Sequence, residues 1–232
     1  MTPYSKSSDS QPSPWFAIVV AVFVTALITA NIIAVKLVSF GDIVLPAAVI
    51  IFPVSYIVGD VLTEVYGYRQ ARRVIWLGFL CNLFAVMAIW AAGRLPAAAF
   101  WDGQPAFERI LGLTPRILAA SFLAYLVGEF ANAIVMAKMK VATGGRWLWT
   151  RTIGSTVIGQ GLDSAVFITV AFAGAVDWRA LAGMVVVQWL VKTAYEAAAT
   201  PLTYLVVGFL KRREGLDVYD AETGFNPLSL SR

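Results

Sequence analysis

Long, nearly uncharged apolar runs are the feature that most limits what this chain can fold into. Residues 15–40 contain one charged side chain, Lys36, and several later runs are similar. A membrane-spanning helix needs about 20 consecutive apolar residues, and a backbone inside lipid must satisfy its own hydrogen bonds. Since the runs are continuous rather than alternating, they favour helices over a β-barrel. The sequence therefore predicts an all-α integral membrane protein.

Composition supports this class and excludes several kinds of site. The chain is 59% hydrophobic and 14% charged, whereas soluble domains carry about 25% charged residues. The net charge of +4 comes from residues that flank the apolar runs, which favours anionic lipid rather than nucleic acid as a partner. The single cysteine, Cys81, excludes an intrachain disulfide, and the lack of histidine excludes a Ser-His triad and histidine metal sites. No catalytic residue, metal or cofactor is expected.

The apolar pattern divides the chain into six predicted transmembrane helices between two tails. Residues 1–14 are predicted to be a disordered cytoplasmic tail, 15–213 the six-helix membrane domain, and 214–232 a cytoplasmic C-terminal tail. Twelve Lys and Arg residues fall in segments on one side and four on the other, so the positive-inside rule places both termini in the cytoplasm. The predicted helices cover residues 15–40, 45–66, 74–92, 115–137, 152–175 and 178–210.

Two carboxylates, Asp60 and Glu64, lie one helical turn apart in the second apolar run. Residues four apart share a helix face, and a charge at the bilayer centre costs about 2.5–3.5 kcal/mol on insertion scales. Such residues mark a pathway or a site by default. For Glu64 an alternative stays open, in which it is an interfacial residue paired to a loop arginine such as Arg69.

Other polar residues within the apolar runs indicate a polar cavity inside the bundle. Gln188, Lys192 and Glu196 are four apart and share a face, although Glu196 fits an interfacial position equally well. Interhelical hydrogen bonding explains Asn132, Gln160 and Gln188 as readily as ligand binding does. Ser155 and Thr156 fit a helix cap. Pro201 predicts a kink.

Several long blocks of the chain resemble the family of queuosine precursor transporters. They are FPVSYIVGDVLTEVYGYRQARR, GEFANAIVMAKMK and RTIGSTVIGQGLDS, together with Asn31 and the Lys192…Thr200-Pro201…Tyr204 pattern. The resemblance implies a bacterial inner-membrane importer of 7-cyano-7-deazaguanine and 7-aminomethyl-7-deazaguanine. It also implies a six-helix topology similar to the binding subunits of energy-coupling-factor vitamin transporters. The positions carried over are Asn31, Asp60, Glu64, Asn132, Ser155, Thr156, Asp163, Lys192 and Pro201.

The chemistry of a 7-deazaguanine agrees with these residues. Its ring N–H and exocyclic amine are adjacent donors, which one carboxylate, Asp163 or Glu129, accepts bidentately. Lys192, Gln160, Asn132 or Asn31 would donate to the carbonyl, an aromatic ring would stack on the base, and Asp60 with Glu64 would share a coupling proton. The candidate substrate-binding residues are Asn31, Phe52, Tyr56, Asp60, Glu64, Glu129, Asn132, Ser155, Thr156, Gln160, Asp163, Gln188, Trp189 and Lys192.

The sequence thus predicts an inner-membrane importer that works by alternating access around a mid-bundle site, with proton coupling as one energy source. One alternative is a substrate-binding subunit of an energy-coupling-factor transporter that needs a separate ATPase module, since the chain has no P-loop pattern. A weaker alternative is a membrane enzyme that uses the paired carboxylates. The expected partners are a 7-deazaguanine base, the lipid bilayer and a second copy in a homodimer, without nucleic acid.

Overall fold

A computed structural model of the protein describes residues 13–40, 43–112 and 115–229. Helices dominate it, and a small hairpin separates the first two. In chain order the elements are α1 (Pro14–Ile33), β1 (Leu37–Phe40), β2 (Ile43–Pro46), a 3-10 turn (Ala47–Ile50), α2 (Phe52–Tyr66), α3 (Tyr68–Arg94), α4 (Gln104–Leu111), α5 (Pro115–Ala142), α6 (Leu148–Phe172) and α7 (Trp178–Glu214).

The bundle has charged side chains inside and apolar side chains outside. Glu64 and Arg151 are 0% and 1% exposed, whereas Phe84 on α3 and Leu205 on α7 are 75% and 70% exposed. In water this arrangement would cost free energy twice, because the apolar exterior would be exposed to solvent and the charged side chains inside would be removed from it. In lipid the apolar exterior meets a matching solvent. The distribution of side chains therefore supports the predicted helical membrane protein.

Within the described part of the chain, four helical segments are long and apolar enough to cross a membrane by length and composition. They are Pro14–Ile33, Tyr68–Arg94, Gln104–Ala142, which contains α5, and Leu148–Phe172. The helix α2 has 15 residues, fewer than the roughly 20 that a full span needs. The helix α7 has 37 residues and carries Pro201 inside it. A helix overlaps each of the six predicted segments, while the count of six membrane spans stays a prediction.

The first predicted helix is too long at its C-terminal end. Helix α1 ends at Ile33, and the chain then forms β1, which pairs antiparallel with β2 in the register Leu37↔Pro46 to Phe40↔Ile43. Valine, isoleucine and phenylalanine favour strands, and continuous apolar character alone does not distinguish a strand from a helix. Residues 1–12, most of the predicted N-terminal tail, lie outside the described part of the chain.

The beginning of α1 and the end of α7 lie on the same side of the bundle. The Ser13 hydroxyl donates to the Glu214 carboxylate, and the Tyr66 hydroxyl donates to the same carboxylate over 3.3 Å. An even number of membrane crossings between the two ends would produce this arrangement. The cytoplasmic location of both ends remains a prediction from the distribution of Lys and Arg.

Residues 215–229 form a segment, here called the C-terminal strap, that packs against α2 and α3. Asp220 Oδ2 accepts the Tyr68 backbone N–H at 2.9 Å, and Arg72 and Trp76 each donate to strap carbonyls over 2.9 Å. Helices α2 and α3 meet at Gly67, whose φ of +81° and whose space are suited to glycine: a Cβ there would lie 2.6 Å from Val218 Cγ1. The strap therefore fits the joint between the two helices.

We expect Asp220→Ala to loosen the strap with little effect on the membrane bundle. Asp220 is buried and satisfies the first backbone N–H of α3, and loss of such a capping acceptor costs about 0.5–2 kcal/mol. Limited proteolysis of detergent-solubilised protein should release the strap from this variant sooner than from the parent. Glu222→Ala, an exposed position in the same segment, is the control, and equal cleavage of the two variants would contradict the assignment.

Candidate functional site

Two glycines bring α5 and α6 into close contact at the level of the candidate site. A Cβ on Gly159 would lie 2.8 Å from Asn132 Cβ, and a Cβ on Gly128 would lie 2.7 Å from Asp163 Cβ. Small residues allow membrane helices to approach at backbone distance. This contact fixes Asn132 and Asp163 on facing surfaces, so the two helices position both polar side chains together.

The centre of the bundle contains a set of buried polar side chains from four helices, here called the mid-bundle cluster. Asn132 Nδ2 donates to Asp60 Oδ1 over 2.8 Å, and Asp60 and Glu196 are close enough to interact electrostatically. Each of these three residues is buried. We group with Asp60 on α2, Asn132 on α5 and Glu196 on α7 the residues of α6 and α7 that carry further buried, unpartnered polar atoms, namely Gln160, Ser164 and Thr193.

Most oxygens of the mid-bundle cluster have no hydrogen-bond partner within the described part of the protein. Buried polar atoms are normally paired, because leaving one unpaired costs about 1–3 kcal/mol. These atoms are available to hydrogen-bond with water or with a bound molecule. The unpartnered side-chain atoms are Asp60 Oδ2, Asn132 Oδ1, Gln160 Oε1, Ser164 Oγ, Thr193 Oγ1, and both Oε1 and Oε2 of Glu196.

One helical turn before Asp60 on α2, near Tyr56, lies a second polar group that contains an ion pair. Lys192 Nζ contacts Asp163 Oδ2 in a salt bridge and lies 5.9 Å from the centre of the Tyr56 ring. Glu129 on α5 interacts electrostatically with Asp60, Asp163 and Lys192. It also packs against Gly59, where a Cβ would lie 3.2 Å from Glu129 Oε2. The ion pair with Lys192 neutralises the charge of Asp163, whereas Glu129 has no salt bridge among the described residues.

One turn in the opposite direction, Glu64 is the centre of a charge network, here called the Glu64 cluster. Arg151 Nε and Nη2 donate to the two Glu64 carboxylate oxygens, each over 2.8 Å, and Lys211 Nζ donates to Oε1 over 2.6 Å. Lys140 Nζ lies 3.6 Å from the same oxygen. These three cations mark one end of the bundle, here called the basic end.

This network corrects two expectations from the sequence. The Glu64 carboxylate faces three cations, so a proton shared between Glu64 and Asp60 does not fit the geometry, and its arginine partner is Arg151 rather than Arg69. Lys140 and Arg151 also fall between the predicted helices 115–137 and 152–175. The structure extends α5 to Ala142 and starts α6 at Leu148, which places both cations inside helices.

Asp217 of the strap contacts two cations of the Glu64 cluster. Its carboxylate accepts hydrogen bonds from Lys140 over 2.6 Å and lies 2.8 Å from Lys211 Nζ. Partial burial by itself raises the pKa of the Asp217 carboxyl, but the hydrogen bonds from Lys140 and Lys211 outweigh it and hold that pKa below its usual value. The strap thus contributes an ionised carboxylate at neutral pH.

Some predicted site residues lie away from the mid-bundle cluster. Asn31 donates to Asn82 over 3.1 Å and accepts from Ser121 over 3.5 Å, so it joins α1, α3 and α5. Trp189 Nε1 donates to the Val157 carbonyl over 2.9 Å, which places its indole in the contact between α6 and α7. These contacts account for both side chains without a ligand, so neither joins the cluster in this structure.

The remaining predicted residues lie nearer the cluster or outside the described part. Ser155 is buried and its hydroxyl donates to the Thr152 carbonyl over 3.1 Å. Thr156 is buried one turn before Gln160, and Gln188 is half-buried one turn before Lys192. The side chain of Phe52 lies outside the described part, although its backbone starts α2.

Sequence reasoning did not include Glu196 among the binding residues, yet the structure places it at the centre of the mid-bundle cluster. It is 1% exposed, and Asp60 lies within electrostatic range. The available signal was the spacing of Gln188, Lys192 and Glu196 on one face of α7. Ser164 and Thr193 gave weaker signals, because single hydroxyls are common in membrane helices.

The two cavities described in the structure lie elsewhere. One, of about 280 Å³, is lined by apolar residues and threonines of α1 and by Ile51 and Val54. The other, of about 150 Å³, lies beside α4 near Trp101 and Phe107. Neither is lined by Asp60 or Glu196.

Comparisons with known proteins identify relatives over most of the chain. The family described as "Putative vitamin uptake transporter" matches residues 46–206. A protein of Bacillus subtilis named "Probable queuosine precursor transporter" is 28% identical over 180 residues, which cover 77% of this chain and 79% of that protein.

Two further relatives match over shorter stretches. The "Queuosine precursor transporter" of Escherichia coli is 26% identical over 60% of this chain and 58% of its own length. A "Probable queuosine precursor transporter" of Haemophilus influenzae is 25% identical over 54% of this chain and 51% of its own length. No solved structure matches the chain.

Proposed function

We propose that the chain, which belongs to the family described as "Putative vitamin uptake transporter" and is similar to queuosine precursor transporters, imports queuosine precursors, the 7-deazaguanine bases, across a bacterial inner membrane. As a member of a transporter family with several apolar helices, it is a multi-pass membrane transporter rather than an enzyme. The membrane enzyme with paired carboxylates is thereby set aside. The base would bind at the mid-bundle cluster.

The observation that carries this proposal is the set of unpartnered buried oxygens in the mid-bundle cluster. The oxygen of an amide carbonyl and the oxygens of an ionised carboxylate act only as hydrogen-bond acceptors. A 7-deazaguanine presents N–H groups and an amine around a flat ring, so its donors match these acceptors. A ligand without such donors would leave the oxygens buried and unpaired, which is a strong basis for rejection.

Alternating access is proposed to proceed by opening and closing the Glu64 cluster at the basic end. Its ion pairs join α2, α5, α6 and α7 at one level, directly next to the mid-bundle cluster along α2. With these contacts formed, a base bound at Asp60 would have no path to that end of the bundle. Separation of the ion pairs would open such a path, and interfaces of this kind switch between discrete arrangements.

Coupling to a proton gradient is proposed for Asp60 rather than Glu64. Asp60 is buried, has one free oxygen and lies near a second acid, Glu196, whereas both oxygens of Glu64 accept from cations. A carboxyl group between partners of like charge favours the protonated form. The homodimer and the binding-subunit arrangement with a separate ATPase remain predictions, which uptake by the reconstituted chain alone would distinguish.

We expect 7-cyano-7-deazaguanine to raise the melting temperature of the detergent-purified protein and adenine to leave it unchanged. A ligand that binds the folded state at about 100 times its Kd adds about 2.7 kcal/mol of stability. Differential scanning fluorimetry with both bases, and with guanine as a third ligand, measures this. A shift with adenine equal to that with 7-cyano-7-deazaguanine would contradict donor matching, and no shift with any base would contradict the proposed function.

A further inference from the structure

Glu196 is the carboxyl group of the described residues that is fully enclosed and has both oxygens unpartnered. Of the other acids near it, Asp60 accepts from Asn132 through one oxygen, and Asp163 is paired with Lys192. Glu64 is held by cations at the basic end, and Glu129, which interacts electrostatically with Glu196, is only half-buried. Among the described residues, Glu196 is therefore the fully buried acid that can offer two acceptors side by side to a bound molecule.

The position of Glu196 on α7 directs it toward the bundle interior. It lies one turn after Lys192, which pairs with α6, and one turn before Thr200, whose hydroxyl donates to the Glu196 carbonyl over 3.0 Å. Thr193, three residues earlier, shares its face and has an unpartnered hydroxyl. Electrostatic interaction with Asp60 places α2 opposite. The carboxylate thus faces the same space as the unpartnered oxygens of α2 and α7.

We propose that Glu196 is the specificity-determining residue that accepts the adjacent ring N–H and exocyclic amine of the bound base. This inference rests on the proposed function and assigns within it a role that sequence reasoning gave to Asp163 or Glu129. A carboxylate with two free oxygens matches two parallel donors, and such charge-assisted pairs are the strong ones. Asp163 is excluded from the role by its salt bridge with Lys192.

The geometry also explains how the site distinguishes related bases. A base that keeps the carbonyl and ring N–H but lacks the exocyclic amine would satisfy one oxygen of Glu196 and leave the other buried and unpaired. Sites that hydrogen-bond a ligand group reject analogues without that group, because the protein atom that bonded to it is then buried without a hydrogen bond. The exocyclic amine is therefore expected to contribute most of the discrimination through Glu196.

The test compares two ligands on two proteins. We expect Glu196→Gln to weaken binding of 7-cyano-7-deazaguanine by roughly tenfold or more, since the glutamine amide presents a donor where an acceptor is needed. The analogue without the exocyclic amine should bind the variant and the parent with affinities within about twofold. Titration calorimetry or scanning fluorimetry in detergent gives the affinities, and Glu108→Gln on the exposed surface of α4 is the matched control.

The outcomes separate this inference from the proposed function. If the parent binds neither ligand, the proposed function fails. If the parent binds and Glu196→Gln still prefers the amine-bearing base to the parent's extent, the assignment of Glu196 fails. Should Glu196→Gln not yield folded protein, Glu196→Asp retracts the carboxylate by one methylene and keeps its charge. It should likewise lose preference for the amine, and unchanged preference in this variant would overturn the inference.

Discussion

Replacement of Glu64 by alanine is expected to destabilise the protein more than any other single change at a charged residue of the bundle. The substitution leaves Arg151, which is 1% exposed, without the carboxylate that accepts from two of its nitrogens. Removal of one partner from a buried ion pair costs about 3–5 kcal/mol, because the remaining charge stays desolvated. Lys140 and Lys211 would add like-charge repulsion. Thermal unfolding in detergent, followed by size-exclusion chromatography, should show a large fall in the apparent Tm.

A double variant separates the loss of an ion pair from the loss of packing. Glu64→Leu with Arg151→Met removes both charges and keeps apolar volume, and replacement of a buried pair by apolar residues is often neutral or stabilising. The double variant should therefore melt above Glu64→Ala. It should also transport poorly if the Glu64 cluster opens and closes during uptake. Equal melting of Glu64→Ala and the parent would show that the cluster contributes no stability.

The second large effect is expected at Gly159, where an added methyl group would disturb the polar residues of two helices at once. Its Cβ would lie 2.8 Å from Asn132 Cβ and 3.0 Å from the Gly128 carbonyl oxygen. The carbonyl is backbone and cannot rotate away, so α5 and α6 must separate. Overpacking of this kind costs about 1–3 kcal/mol, and the displaced Asn132 would lose its alignment with Asp60. Gly159→Ala should lower uptake more strongly than it lowers the Tm.

Glycines elsewhere in the bundle give the control for this prediction. A Cβ on Gly183 or Gly208, both in α7, would meet no atom within 4 Å. Alanine at these positions adds no clash and favours a helix by about 1 kcal/mol relative to glycine. Both control variants should therefore fold and transport at least as well as the parent. A loss of uptake in Gly183→Ala as large as in Gly159→Ala would indicate general sensitivity to substitution rather than the α5–α6 contact.

The sequence predicts the helical membrane class and the polar residues that the helices bury, but not the ion pairs of the basic end; the role of the polar residues in binding stays a prediction. Asp60, Asn132, Gln160, Asp163 and Lys192 were identified because polar residues within apolar helical runs face inward. The structure pairs Asp60 with Asn132 and Asp163 with Lys192, and buries Gln160. Helical periodicity and charge cost were sufficient for this part, since both are local properties.

The same reasoning could not identify which charged residues pair with each other when they are far apart in the sequence. Glu64 and Arg151 are 87 positions apart, and the chain holds 18 Lys and Arg residues, so local spacing could not select the partner. The end of α1 was missed for a different reason. Apolar content continues through β1, and an apolar run carries no signal for the change from helix to strand.

The C-terminal strap has a consequence for the order in which the protein is completed. Residues 215–229 leave the ribosome after every described helix, yet they supply Asp217 to Lys140 and Asp220 to the start of α3. Until they do, Lys140 and Lys211 lack this carboxylate, and the joint at Gly67 is uncovered. Final assembly of the basic end therefore follows the synthesis of all the described helices. A bulky fusion placed immediately after residue 214 would compete with that last step.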